Sequence, residues 1–205
     1  MRLRWIFTLI PLFVSSSSAL VKIYGDSILA ENTPIQRDLQ SFAPAAKIQN
    51  FAKIGAGMRD GWVQSIPSIY QEHKEPIPIT AILDGGGNDV NSVRQQCVDM
   101  TPICNKTILH VVDVTKDLIR AMIQDGVKNV VYVGFFYIKG FEKAVDLGDD
   151  SIKQFCQSYP HCYFVDLRSL PVEVGWDGMH PVESSYHDIS ARIWKTVQQN
   201  QVPFE

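Results

Sequence analysis

Three short motifs in this 205-residue sequence carry side chains suited to acyl-transfer chemistry. Gly25-Asp26-Ser27 lies near the N-terminus, a run of three glycines leads to Asn88, and Asp177 precedes His180 near the C-terminus. A serine hydroxyl is a weak nucleophile until a base accepts its proton, and a histidine oriented by a carboxylate is a suitable base near neutral pH. The residue types therefore predict a serine nucleophile, a histidine base and an aspartate partner.

Acyl transfer also passes through a tetrahedral intermediate that carries negative charge. Hydrogen-bond donors that are already in place stabilise this charge, and backbone amides and asparagine side chains serve this purpose. Glycines favour such a site because a backbone without Cβ can approach the reacting group closely. Candidate donors are the backbone amides of Ser27 and Gly55 and the side-chain amide of Asn88.

Each motif also has a purely structural interpretation. Gly-Asp-Ser is common in turns that cap helices, a glycine run is common in flexible turns, and Asp177-Gly178 is typical of a hairpin turn. We expect Asp26 and Asp89 to brace loops and not to react. The three motifs together, in the order Ser, Asp, His, favour the catalytic interpretation.

In sequence order, Gly25-Asp26-Ser27, Gly55, Gly86-Gly87-Asn88-Asp89 and Asp177-Gly178-Met179-His180 resemble the four sequence blocks of the SGNH (GDSL-type) hydrolases. The resemblance extends from about residue 21 to the C-terminus and is greatest to compact bacterial esterases and thioesterase-like members.

The resemblance implies a flavodoxin-like sheet of five parallel strands and a triad of Ser27, Asp177 and His180. It also implies an oxyanion hole formed by the Ser27 and Gly55 amides and the Asn88 side chain. The second block is open to another register, because Gly55-Ala56-Gly57 also permits Gly57 in this position.

Alternating apolar and amphipathic segments indicate which elements position these residues. Continuous apolar runs are typical of parallel strands that are covered on both faces. The predicted strands are residues 21–24, 46–51, 78–83, 129–135 and 162–165. The predicted helices are residues 107–125 and 184–199, and less clearly 61–73, which Pro67 interrupts.

This alternation predicts the α/β class, as a three-layer α/β/α sandwich with about five parallel strands and right-handed crossovers. In such sheets, sites form beyond the carboxyl ends of the strands. The motifs at Ser27 and Asn88 both follow predicted strands, so we expect them to meet at this edge.

The N-terminal segment has the pattern of a secretory signal peptide. Arg2 and Arg4 precede an apolar run, and small residues follow up to Ala19. The run is far shorter than the ~20 residues of a membrane-spanning helix. We therefore predict a signal peptide at residues 1–19, a hydrolase domain at 20–205, and a secreted or periplasmic protein.

Charge and composition restrict the partners. The chain has 19 basic and 22 acidic residues and a formal charge of −3, which becomes −5 if Arg2 and Arg4 are removed. No basic block or stripe is present, so we expect no nucleic-acid partner. No later segment is long enough to cross a bilayer, so we expect no membrane-spanning segment in the mature chain. The expected partner is a small-molecule ester. No cofactor is expected, and the sequence leaves the oligomeric state open.

The four cysteines lie as two close pairs, Cys97 with Cys104 and Cys156 with Cys162. Four cysteines allow three pairings, of which proximity favours the two local ones. A zinc site is the alternative, but neither pair has Cys-x-x-Cys spacing or histidines at suitable intervals, so no metal is expected. Local disulfides agree with export to an oxidising compartment.

These observations predict a secreted serine esterase that hydrolyses carboxylic esters through an acyl-enzyme. Its substrate would carry a small acyl group or be a lysolipid or an acetylated sugar. Two alternatives remain open: an acyltransferase that uses the same triad, and an exported binding module without turnover. Aromatic residues that could line the substrate pocket are Trp62, Phe136, Tyr137 and Trp176.

Overall fold

The computed structural model describes residues 18–204. The predicted signal peptide, residues 1–19, lies outside the described residues except for its last two. Its presence and its cleavage near Ala19 therefore stay predictions.

A five-stranded parallel sheet forms the centre of the molecule. The strands are β1 (Leu20–Tyr24), β2 (Lys47–Asn50), β3 (Thr80–Leu83), β4 (Asn129–Val133) and β5 (Cys162–Val165). Their spatial order is β2-β1-β3-β4-β5, which is the flavodoxin-like order. Each of the five strands overlaps a predicted strand, and the predicted fold class is confirmed.

Residues 18–204 contain seven helices, of which six lie between strands and the seventh follows the last strand. They are α1 (Ile35–Phe42), α2 (Ile66–His73), α3 (Gly87–Asn91), α4 (Arg94–Val98), α5 (Pro102–Gln124), α6 (Glu142–Ser158) and α7 (Glu183–Gln199). Helices α1 and α7 cover one face of the sheet, whereas α2, α5 and α6 cover the other. Successive strand residues point to opposite faces, so Ile23 packs in the first layer and Tyr24 in the second.

Two predicted helices differ at their N-termini. Helix α2 begins at Ile66, and Pro67 lies in its first turn. Proline is favoured there because the backbone amides of the first turn have no acceptor within the helix, so the lack of an N–H costs no hydrogen bond. Pro67 thus starts the helix and does not interrupt it, while Ser65 caps it by accepting from the Ser68 amide. Helix α5 also begins earlier than predicted, at Pro102.

Helix α6 was not among the predicted helices. Its sequence includes Gly148 near the middle and several acidic residues, which weaken a helix signal based on propensity. Its buried face nevertheless includes Ala144, Ile152 and Cys156. Tertiary packing against α5 therefore stabilises a segment whose local preference is weak.

The connections leave a cleft where β1 and β3 lie side by side. The chain leaves β1 toward β2 on one side and β3 toward β4 on the other, so the loops after β1 and β3 diverge. Tyr24 and Leu83 are paired at the carboxyl ends of these strands. Ligand sites of open α/β sheets form at such a switch point.

Two disulfides attach helices to their neighbours. Cys97–Cys104 connects α4 to α5 with a sulfur–sulfur distance of 2.05 Å, and Cys156–Cys162 connects α6 to β5 at 2.03 Å. These are the local pairs that proximity favours. Within residues 18–204, no helix has the length and apolar character needed to cross a membrane.

Candidate active site

Ser27 lies in a tight turn after β1 that two buried carboxyl groups support. The Asp26 side chain accepts the Ile28 amide at 3.0 Å, and the Asp26 amide donates to Asp84 Oδ1 at 2.8 Å. Both aspartates are 2% exposed. Gly25 lies so close to Asp84 that a Cβ at this position would collide with the carboxyl oxygen. The turn that presents Ser27 therefore requires the Gly-Asp pair before it.

Asp177 and His180 lie in one loop that is closed by a bridge between Val174 and Pro181. Asp177 Oδ1 accepts the backbone amides of Met179 and His180, at 2.9 and 3.0 Å. Asp177 Oδ2 lies 2.6 Å from His180 Nδ1. The hydrogen bond with the His180 side chain is the main reason why the pKa of Asp177 is lowered to about 2. The hairpin turn predicted as the structural interpretation is thus the scaffold of the pair.

The loop brings the imidazole to the serine. His180 Nε2 lies 2.8 Å from Ser27 Oγ, although the two residues are 153 positions apart in the sequence. A carboxylate at Nδ1 favours the tautomer with its proton on Nδ1, and this leaves the Nε2 lone pair free to accept the serine proton. The three residues therefore form one continuous hydrogen-bonded chain.

The three expected oxyanion donors face the same space beside Ser27. Ser27, Gly55 and Asn88 all line one cavity. The Asn88 side-chain nitrogen donates to the Ala56 carbonyl oxygen at 2.8 Å, which fixes the amide and leaves its second N–H available. Neither the Ser27 nor the Gly55 amide donates to another group within residues 18–204. Three N–H groups beside Ser27 are therefore without an acceptor within residues 18–204.

Gly57, the alternative to Gly55, lies elsewhere. It is buried, it is not among the cavity residues, and a Cβ there would lie 2.7 Å from Asp89 Oδ2. Gly55, in contrast, is exposed and has a φ of +81°, a conformation that favours glycine. The geometry therefore favours Gly55 as the donor.

Asp89 braces the loops around the donors. Its carboxylate accepts the Met58 amide at 2.7 Å and the Arg59 Nε–H at 2.9 Å. It thereby ties the loop after β3 to the loop after β2, which carries Gly55. Asp26 and Asp89 thus occupy the bracing positions that we expected from the sequence.

Sequence reasoning missed two buried carboxyl groups near the site. Asp84 follows β3 directly and supports the Ser27 turn. The sequence indicates it only as an acidic residue directly after an apolar strand, and that strand is the neighbour of β1 in the sheet. Asp149 on α6 accepts the Phe135 amide at 3.0 Å. Burial raises the pKa of Asp84, and it raises the pKa of Asp149 to about 8.

A cavity of about 220 Å³ begins at Ser27 and His180 and continues between α5 and α6. The four aromatic residues that the sequence offered for the substrate pocket differ in their positions relative to this cavity. Phe136 is buried and lines this cavity, whereas the Tyr137 hydroxyl bonds Asp146. Trp62 and Trp176 are fully exposed. Trp176 precedes Asp177 directly but is not among the residues that line the cavity, so its part in a substrate pocket stays a prediction.

Comparisons with known proteins agree on the fold. No protein-family model matches the chain, and no curated protein matches its sequence. Three solved structures illustrate the similarity. TesA has 15% identity and a TM-score of 0.65, over 88% of this chain and 98% of its own. A carbohydrate acetylesterase family member from Sinorhizobium meliloti has 10% identity and a TM-score of 0.65, over 88% and 98%.

The psychrotrophic esterase EstA from Pseudoalteromonas sp., in a structure inhibited by monoethylphosphonate, has 14% identity and a TM-score of 0.61. The match covers 90% of this chain and 99% of that one. The chain thus shares the fold of these solved structures over nearly its whole described length. This confirms, at the level of the fold, the resemblance that the four sequence blocks indicated.

Proposed function

We propose that this protein is a serine esterase of the SGNH type that hydrolyses carboxylic esters through an acyl-enzyme. The observation that carries the proposal is the continuous chain of hydrogen bonds from Asp177 through His180 to Ser27, with distances of 2.6 and 2.8 Å, at the mouth of a cavity. The structural neighbours include an esterase and a carbohydrate acetylesterase family member, which supports ester hydrolysis as the reaction class.

In the first half of the reaction, His180 Nε2 accepts the Ser27 proton while Ser27 Oγ attacks the ester carbonyl carbon. Asp177 stabilises the imidazolium that forms, because its carboxylate bonds the Nδ1–H. The tetrahedral intermediate collapses when the imidazolium gives its proton to the leaving alkoxide oxygen. The products of this half are the free alcohol and an acyl group bound to Ser27 Oγ.

In the second half, water replaces the alcohol. His180 removes a proton from the water, the resulting hydroxide oxygen attacks the acyl carbon, and the proton returns to Ser27 as the acid leaves. In both halves the carbonyl oxygen becomes negatively charged, and the Ser27 and Gly55 amides with the Asn88 side chain are the groups that would bind it. No cofactor is needed for either half.

We also propose that the protein acts outside the cytoplasm. The two disulfides support this, because such bonds persist in oxidising compartments. The signal-peptide pattern of residues 1–19 supports it as well.

The function is tested with a fluorophosphonate probe followed by peptide mapping, alongside hydrolysis of aryl esters. We expect the probe to label Ser27. We expect Ser27→Ala to abolish labelling and to lower kcat/KM by about 10³- to 10⁶-fold, the range for loss of a triad nucleophile. Ser41→Ala, a change at an exposed serine on α1, is the matched control and should keep full activity. Undiminished hydrolysis by Ser27→Ala would refute the proposal.

Product analysis with added glycerol separates hydrolysis from acyl transfer. We expect the free acid as the main product. A glycerol ester as the main product would assign the same triad to an acyltransferase instead.

A further inference from the structure

The cavity beside Ser27 has walls supplied by the facing sides of α5 and α6. On α5 they are Ile108, Val111, Val112 and Thr115, which share one helix face because they recur every three or four residues. On α6 they are Ala144, Val145, Gly148 and Ile152, together with Asp149. The lining is predominantly apolar, so the cavity favours an apolar occupant.

Small residues on α6 leave this space open. Ala144 and Gly148 are one helical turn apart and both face α5. A Cβ added at Gly148 would meet only Ile108 Cγ2, at 3.7 Å, which is an ordinary contact. Neither crowding nor a left-handed backbone requires glycine at this position, and glycine is unfavourable inside a helix. The structural consequence of Gly148 is the volume that a side chain would occupy.

The position of the cavity indicates which part of an ester substrate it binds. Ser27 and His180 lie at the mouth, and the carbonyl carbon of an acyl-enzyme must stay there beside the oxyanion donors. The alkyl chain attached to that carbon is the part of the substrate that extends inward between the helices. The leaving alcohol departs from the acyl-enzyme and does not need this space.

The volume and the length of the cavity limit the chain. A methylene group is about as large as a water molecule, at ~30 Å³, so 220 Å³ holds about seven such groups. The wall from Ile108 to Thr115 extends about 10 Å along α5. Polar lining groups lie next to β4: Tyr132 is in that strand, and Asp149 bonds the amide of Phe135 just beyond it. A longer chain would therefore gain little apolar contact.

We propose that the space between α5 and α6 binds the acyl chain of a medium-chain ester of about six to eight carbons, and that Gly148 sets the maximum length. This inference rests on the proposed function. It replaces the small acyl group expected from the sequence with a longer one, because the space between the helices has no signature in the sequence.

The test compares kcat/KM across p-nitrophenyl esters from acetate to dodecanoate in the full protein. Burial of each further methylene should raise kcat/KM by about three- to fourfold until the cavity is filled. We therefore expect a maximum between hexanoate and octanoate. A maximum at acetate would overturn the inference, and so would an undiminished rise through dodecanoate.

Substitutions at Gly148 test which residue limits the chain. We expect Gly148→Ala to lower the octanoate-to-acetate ratio of kcat/KM several-fold and Gly148→Leu to lower it further, by about 30-fold or more, since each added carbon displaces one methylene of the substrate. Gly148→Ala also raises helix propensity, so it folds even where the leucine variant does not.

Gln154→Ala is the control for helix propensity alone, because Gln154 lies on the exposed side of α6 and should keep the wild-type profile. If wild type and both Gly148 variants show the same profile while Ser27-dependent hydrolysis persists, the inference fails and the proposed function stands. If Ser27 reacts with no ester and no probe, the proposed function itself fails.

Discussion

The two parts of the proposed triad are held in place by different means. The Ser27 turn is buried and depends on Asp84, a residue 58 positions from Asp26 in the sequence. The loop with Asp177 and His180 is more exposed, with 31% and 39% of these side chains accessible, and its hydrogen bonds connect residues within three positions of each other.

The carboxyl groups of the Ser27 turn and the carboxyl group of the loop with Asp177 have pKa values shifted in opposite directions. Burial raises the pKa of Asp26 to about 6 and also raises that of Asp84, whose Oδ2 has no hydrogen-bond partner within residues 18–204. Asp177 is shifted in the opposite direction, because its carboxylate accepts hydrogen bonds from His180. Burial therefore favours the neutral form of the carboxyl groups that support the Ser27 turn, whereas hydrogen bonds favour the ionised form of Asp177. A change in the loop with Asp177 and His180 should alter mainly chemistry, and a change in the turn should alter folding to a greater extent.

Among changes that separate the Ser27 turn from the loop with Asp177 and His180, the largest effect is expected from Asp177→Asn. The amide can keep one oxygen for the Met179 and His180 backbone groups, but its NH2 group cannot accept the Nδ1–H, so the imidazole loses its preferred tautomer. We expect kcat to fall by about 10²- to 10⁴-fold, with stability changed by about 1 kcal/mol or less because the site is exposed. Steady-state kinetics and urea unfolding measure the two quantities. A loss of activity below tenfold would contradict the assigned role.

A smaller effect on activity, but a larger one on stability, is expected from Asp84→Ala. The variant leaves the Asp26 amide buried without an acceptor, which costs about 1–3 kcal/mol, and it opens a void under the turn. We expect a lower unfolding midpoint in urea together with a reduced kcat, because Ser27 loses its support. Asp84→Asn is the matched variant, since it keeps an acceptor oxygen and should lose less of both. Equal stability of wild type and Asp84→Ala would show that the turn needs no such support.

The smallest effect, counted per pH unit, concerns the dependence of stability on pH. A carboxyl group with a raised pKa stabilises the fold when protonated, so its contribution declines as pH rises from about 4, the unfolded value, through its folded value. Asp26, Asp84 and Asp149 all act in this direction, with about 6 for Asp26 and about 8 for Asp149. Asp177 acts in the opposite direction, and its contribution is lost as pH falls from about 4 toward 2.

We therefore expect the free energy of unfolding to decline on both sides of about pH 4. Between pH 4 and 7 the decline should be shallower in Asp84→Asn than in wild type, by up to about 1.4 kcal/mol per pH unit. Urea unfolding at pH 4, 5, 6 and 7 measures it. Parallel curves for the two proteins would mean that Asp84 is ionised in the folded state.

Features that depend on neighbours in the chain were determined by the sequence alone. Four of the five strands are predominantly apolar, as expected for parallel strands covered on both faces, whereas the edge strand β2 contains only one apolar residue, Ile48. The pairing of Asp177 with His180 follows from a three-residue spacing in one turn. The two disulfides likewise join cysteines that are close in sequence.

Only the tertiary structure decided the features that depend on sheet order and helix packing. The contact of Asp84 with the Ser27 turn exists because β3 lies next to β1, and the position of Gly55 rather than Gly57 depends on how the loop after β2 packs against Asp89. Gly148 lines the cavity because α6 packs against α5 on the same face of the sheet. These contacts join residues far apart in the chain. Local patterns of polarity do not indicate which distant surfaces will pack together, so the sequence alone could not predict these contacts.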